Sequence, residues 1–77
     1  MANIKIYSTA TCPYCEMAKE YFDKNKIQYQ SFNVAEDEKA AQEMVQKSHQ
    51  MGVPVIDIDG TIIVGFDKGA IDQALGL

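Results

Sequence analysis

The sequence predicts one small α/β domain over residues 1–77, a mixed four-stranded sheet with three helices in the order βαβαββα. Three observations predict it. Short β-type runs alternate with longer stretches of helical spacing. No linker, repeat or low-complexity tract interrupts them. Asp59-Gly60 stands between two apolar runs, the strongest short-range hairpin signal. Strands joined through a helix run parallel with a right-handed crossover, whereas a two-residue turn makes the last pair antiparallel.

Each element has its own signal. "NIKIYS" (Asn3 to Ser8) alternates around Ile4 and Ile6 and reads as the first strand. From Pro13 to about Asn25, Ala18, Tyr21 and Phe22 recur at helical spacing with Met17 beside them. "IQYQSFNV" is the second strand by its Tyr29, Phe32 and Val34. In "AEDEKAAQEMVQKSHQ" a helix gains from Glu36, Asp37 and Glu38 at its positive end and from Lys47 at its negative end. Its narrow apolar face is Ala40, Ala41, Met44 and Val45. "VPVIDIDGTIIV" supplies the hairpin, and "DKGAIDQALGL" a last helix burying Ile71, Ala74 and Leu75.

Composition excludes several functions. A chain of 77 residues buries only about 60% of its unfolded surface, enough for one core. The formal net charge is −4, with seven Lys and no Arg, so the basic footprint of a nucleic-acid binder is missing. No segment reaches the roughly 18 consecutive apolar residues of a membrane span. The opening "MANIKIYSTA" lacks a basic region followed by a long apolar run, so no signal peptide is expected and cytoplasm is the default. Small size and modest charge suit a monomer.

The chemistry concentrates in "TATCPYCEMA", which holds the only two cysteines, Cys12 and Cys15. They sit where the first strand ends and the first helix begins. Pro13 fits the first helical turn, having no N–H to lose there. That spacing puts both thiols on one helix face, within bridging reach. A structural disulfide would close a very small loop and add little stability. A zinc site needs four ligands, and beyond this pair the chain has a single histidine, His49, so no metal site is expected within one chain. A metal or iron–sulfur cluster shared by a homodimer is a separate alternative. A CxxC opening a helix after a strand points most directly to thiol–disulfide exchange. Ionising a thiol near neutral pH requires a shift from about 8.5 to roughly 6, or about 3.4 kcal/mol. A helix dipole gives up to ~2 kcal/mol, so amide hydrogen bonds to the sulfur, each ~1.5–3 kcal/mol, must supply the rest. The free donors there are the N–H groups of Tyr14 and Cys15.

"YSTATCPYC" resembles the active-site strand and loop of glutaredoxins, whose dithiol motif is CPYC. "MGVPVIDIDG" is similar to that family's third-strand opening, and "VGFDKGAI" to its glycine-containing turn before the last helix. The resemblance covers nearly the whole chain and implies a thioredoxin-like fold. It implies that Cys12, exposed at the helix tip, attacks a substrate disulfide and that Cys15, shielded one turn inside, resolves the mixed disulfide. Pro54 matches the family's cis-proline, and Val53 before it the residue offering backbone groups to substrate. Protein disulfides are the implied substrates, with glutathione as co-substrate and no tightly bound cofactor.

Two positions depart from the pattern. Many glutathione-using members carry Lys where this chain has Thr9, and two glycines where it has Gly65-Phe66. Gly-Phe resembles the redoxins that serve ribonucleotide reductase, often recharged by a flavoprotein thioredoxin reductase. CPYC and Asp67 point back to glutathione users. The resemblance therefore favours altered or weakened glutathione recognition, with Thr11, Pro13, Tyr14, Val53, Pro54, Gly65, Phe66 and Asp67 as binding residues. A non-catalytic redox sensor is a third class.

The same residues have plainer readings. Thr11 is the better candidate for a helix N-cap than for a substrate ligand. Tyr14 either stacks on a bound thiol or covers the dithiol. Phe66 either docks a partner or packs on the last strand. Lys68 reads as a solvated charge and His49 as a helix-end residue. Met17, Met44 and Met51 are expected to fill the core, and Asp57 and Asp59 to face solvent.

Overall fold

The computed structural model describes residues 3–76. Its elements are β1 (Ile4–Ser8), α1 (Pro13–Lys24), β2 (Gln30–Asn33), α2 (Glu38–Ser48), β3 (Val55–Ile58), β4 (Thr61–Val64) and α3 (Lys68–Leu75). The sheet order is β2-β1-β3-β4. β1 runs parallel to β2 and antiparallel to β3, and β3 pairs antiparallel with β4, which is the mixed sheet that the sequence predicts.

Strand alternation sorts the core onto two faces. Ile4, Ile6, Ile56, Ile58 and Ile63 meet Ala18 and Phe22 of α1 and Ile71 of α3. On the other face Tyr7 and Val55 meet Ala40 and Met44 of α2, and Tyr7 stacks on Phe32 at 5.4 Å between centroids. The central strands are thus covered on both sides. At the hairpin Asp59 and Gly60 have φ of 50° and 93°, the doubly positive pair of a tight turn whose twist matches its strands.

Asp57, Met17 and Met51 lie otherwise than the sequence predicts. Asp57 follows Val55 by two and so points to the α2 face, where it is 8% exposed instead of facing solvent. Lys47 Nζ donates to its Oδ2 at 2.7 Å and to Tyr7 Oη at 3.1 Å, while the Gly60 N–H donates to Oδ1 at 2.8 Å. Burial pushes the Asp57 carboxyl up, but the bonds from Lys47 and Gly60 outweigh it and hold the carboxyl below its ordinary value. The Lys47 ammonium is raised to about 12, chiefly by its bond to Asp57 and against the effect of burial. Met17 (46% exposed) and Met51 (81%) are surface residues; of these three methionines Met44 alone fills the core. Met17 precedes Ala18 and so points about 100° away from the buried Ala18–Phe22 stripe.

The second strand is shorter than the predicted Ile27–Val34, because α1 ends in a hydrogen-bonded cap that uses the residues before it. Lys26 takes φ 58°, its N–H donates to Asp23 C=O at 3.1 Å, and Ile27 N–H donates to Phe22 C=O at 2.9 Å. This is a Schellman arrangement, with Ile27 packed on the same cluster as Phe22. α2 likewise begins later than predicted, at the Asp37 cap whose carboxylate accepts the Ala40 N–H at 3.1 Å.

Register decides where the loops meet. Ser8 is level with Asn33, Tyr7 with Val55, and Val55 with Val64. Residues 9–12, 34–37, 53–54 and 65–67 therefore gather at one end of the sheet.

Candidate active site

Cys12 lies at that end as the N-cap of α1, with extended backbone (φ −100°, ψ 109°) and Pro13 beginning the helix. Its carbonyl accepts the Glu16 N–H at 3.2 Å, and its Sγ accepts the Cys15 N–H at 3.2 Å. A sulfur thus occupies the place where a Ser or Asp oxygen normally caps a helix. Thr11, expected as the cap, is exposed and one residue too early. Of the two expected donors, the Cys15 amide bonds the sulfur; no bond from Tyr14 is formed.

The two thiols differ in surroundings. Cys12, expected to stand exposed, is 8% exposed, and Cys15 is fully covered. Burial first, then the hydrogen bond and charge of Cys12, push the Cys15 thiol up to about 11; a backbone bond at Thr9 and the Lys19 charge oppose them. The Cys12 thiol donates toward the Val53 carbonyl at 3.9 Å. Val53-Pro54 is a cis peptide, as the resemblance implied, and the Pro54 carbonyl accepts the Gly65 N–H at 2.8 Å. Gly65 itself has φ 81°, a conformation that a side chain resists.

The structure brings Pro13, Tyr14, Val53, Pro54 and Gly65 together around the sulfurs. Tyr14 is 61% exposed, which fits a group that meets a partner better than one sealing the dithiol. Phe66 is half-buried against the α1/α3 cluster, edge-on to Tyr21 at 6.1 Å, so packing accounts for it. Asp67 caps α3, its Oδ1 accepting the Ala70 N–H at 3.1 Å. Lys68 lies over the Tyr21 ring at 5.6 Å. Tyr21, read from sequence only as part of an apolar stripe, also donates its hydroxyl proton to Asp72 and so ties α1 to α3 beneath the Gly65–Lys68 turn. Its hydroxyl carries no sequence signal, since the ring alone satisfies the helical pattern.

Comparison with known proteins agrees with this geometry. Residues 4–63 match the glutaredoxin family model. The chain is 54% identical over 72 residues to a glutaredoxin-like 8.6 kDa protein of the rubredoxin operon of Clostridium pasteurianum, covering 94% of this chain and 96% of that one. It is 36% identical over 78 residues to glutaredoxin 3 of Escherichia coli K12, covering 100% and 94%. A mutant of the thioredoxin-like protein BC3987 superposes with a TM-score of 0.91 at 29% identity, covering 99% and 97%.

Proposed function

The chain belongs to the glutaredoxin family, and from that premise we propose that it reduces protein disulfides and glutathione mixed disulfides through Cys12 and Cys15, and is itself re-reduced by glutathione. One observation carries the reading: the Cys15 amide reaches Cys12 Sγ at a helix tip while the Cys15 thiol is buried and held protonated. The two sulfurs are thereby given different tasks.

Cys12, as thiolate, attacks one sulfur of the substrate disulfide. A mixed disulfide forms, the substrate S–S bond breaks, and the departing thiolate takes a proton. Two of the three causes that raise Cys15 come from Cys12, and both fade once that sulfur is neutral and bonded. Cys15 then releases its proton more readily and attacks Cys12 Sγ. The second substrate thiol leaves, a Cys12–Cys15 disulfide remains, and two electrons have passed to substrate. Two glutathione molecules restore the dithiol and leave as glutathione disulfide. A pair recharged in this way belongs in a reducing compartment such as the cytoplasm.

Cys12→Ser abolishes all exchange, whereas Cys15→Ser keeps the glutathione-disulfide activity that needs one thiol and loses dithiol reduction of proteins. Full activity in Cys12→Ser refutes the assignment. A second reading is favoured by two residues. Thr9 offers no cation at the loop, and Phe66 fills the turn before α3 by packing on Tyr21. Both suit a redoxin that donates electrons to ribonucleotide reductase and is recharged by thioredoxin reductase. Re-reduction of the oxidised protein by glutathione with its reductase, against thioredoxin reductase, separates the two.

A further inference from the structure

We propose that an apolar groove beside α2 is a substrate subsite, which takes an apolar side chain two or three residues from the reactive cysteine of a polypeptide while Glu38 meets a cationic neighbour. The inference rests on the exchange activity proposed above and adds a substrate class to it.

The groove is a shallow cavity of about 350 Å³ lined by Glu38, Ala41, Gln42, Val45, Gln46 and Met51. Its α2 wall recurs every three to four residues and so forms one stripe of that helix. Ala40 and Met44, on the neighbouring face, are committed to the core. Met51 forms the opposite wall at 81% exposure, the most exposed large apolar side chain among the described residues. It precedes Val53, whose carbonyl faces Cys12 Sγ, by two residues. An extended strand rises about 3.3 Å per residue, so a chain passing Val53 reaches Met51 after two or three residues of its own. A flexible thioether wall accepts apolar side chains of several shapes.

Charge selects the occupant. Glu38 lines the groove, and Glu36 and Asp37 precede it, at the end of the sheet where Cys12 lies. The nearby cations do not answer them: Lys39 projects about 100° further round the helix, and the Lys47 amine is bound to Asp57 and Tyr7. A negative mouth leading to an apolar floor suits a cationic residue next to an apolar one. Glutathione has no apolar side chain to place there, so the groove serves polypeptides.

Three disulfide peptides test this. They are identical except at the second and third positions on both sides of one cysteine, which carry Leu with Lys, Leu with Glu, or Ser with Ser. The readout is the second-order rate at which each oxidises the fully reduced protein, which needs no recharging system. The Leu-Lys peptide is expected to react roughly ten-fold faster than Ser-Ser, about the effect of partly burying one Leu. Met51→Ser brings the Leu-Lys rate down to that of Ser-Ser, and Glu38→Lys makes Leu-Glu the faster of the two Leu peptides. Both substitutions are at exposed positions outside the core. Equal rates for all three peptides overturn the subsite while leaving exchange intact. If none of the peptides oxidises the dithiol, the exchange reading falls and the subsite with it.

Discussion

Replacing Lys47 with Met isolates a buried charge far from the sulfurs. Asp57 then keeps the Gly60 amide but loses the ammonium at 2.7 Å. The side chains of Lys47 and Asp57 are 28% and 12% exposed, so water reaches the carboxylate only in part. Stripping the partner from a fully buried pair costs about 3–5 kcal/mol, and leaving a lone polar group unsatisfied about 1–3. With residual solvation and one amide retained, about 2 kcal/mol is expected at pH 7. For a domain of this size that lowers Tm by roughly 8–16 °C.

The pH dependence carries the sharper test. In the parent protein Asp57 is held below its ordinary value, so its contribution is complete above that value and is lost as pH falls through the folded one. Lys47 is raised to about 12, so its share is complete below 10.5 and is lost as pH rises through about 12. In Lys47→Met burial, the largest single influence on Asp57, is opposed only by the Gly60 amide and the Lys5 charge, so its carboxyl rises from the value it has in the parent. The variant's penalty then shrinks on acidification. Urea unfolding of the reduced protein at pH 7 and near pH 4 measures both effects. A variant within about 0.5 kcal/mol of the parent at pH 7, or a gap independent of pH, refutes the reasoning. Exchange by the folded variant is expected to be unchanged, because Asp57 pairs with Lys5 at the far end of β1 from Cys12.

Three further predictions follow from the geometry. At pH 7 a thiol with a value of about 11 is ionised to roughly one part in ten thousand, so iodoacetamide adds once, at Cys12; an adduct on Cys15 by mass spectrometry contradicts this. Gly65→Ala meets no atom within 4 Å yet is strained at φ 81°, so denaturation shows a loss of about 1–2 kcal/mol and the exchange rate falls with the displaced turn. Lys26→Gly relieves the positive φ at the end of α1 and stabilises by about 0.5–1 kcal/mol; an unchanged or lower unfolding midpoint argues against strain there.

Order and topology were legible because the signals were local: Ile4 and Ile6 alternate, Ala18 and Phe22 recur, and Asp59-Gly60 marks its own turn. The dithiol was legible for the same reason, whereas the cis Val53-Pro54 bond came only from the resemblance to glutaredoxins, since a proline by itself rarely signals a cis bond. What could not be read depends on which surface a neighbour covers. Asp57 looks like any polar residue of a half-exposed strand until α2 is laid over that face and Lys47 reaches it. Met17 and Met51 carry hydrophobicity without revealing that their sides of the helix and loop are bare. Thr11 outranked Cys12 as a cap because side-chain oxygens are the usual stoppers, and only the backbone angles show a sulfur in that position. Asn25 is the better left-handed residue by propensity, yet the bonding pattern places Lys26 there.

In the proposed exchange the helix stopper, Cys12, is also the reagent and cannot serve both tasks at once. While Cys12 is anionic it grips the Cys15 amide with a charge-assisted bond, about twice the strength of a neutral one. Once a substrate claims that sulfur, the grip slackens and the opening turn of α1 is free to give. That is the half-cycle in which Cys15 has to travel toward its partner, so the first bond made loosens the spring on which the second depends.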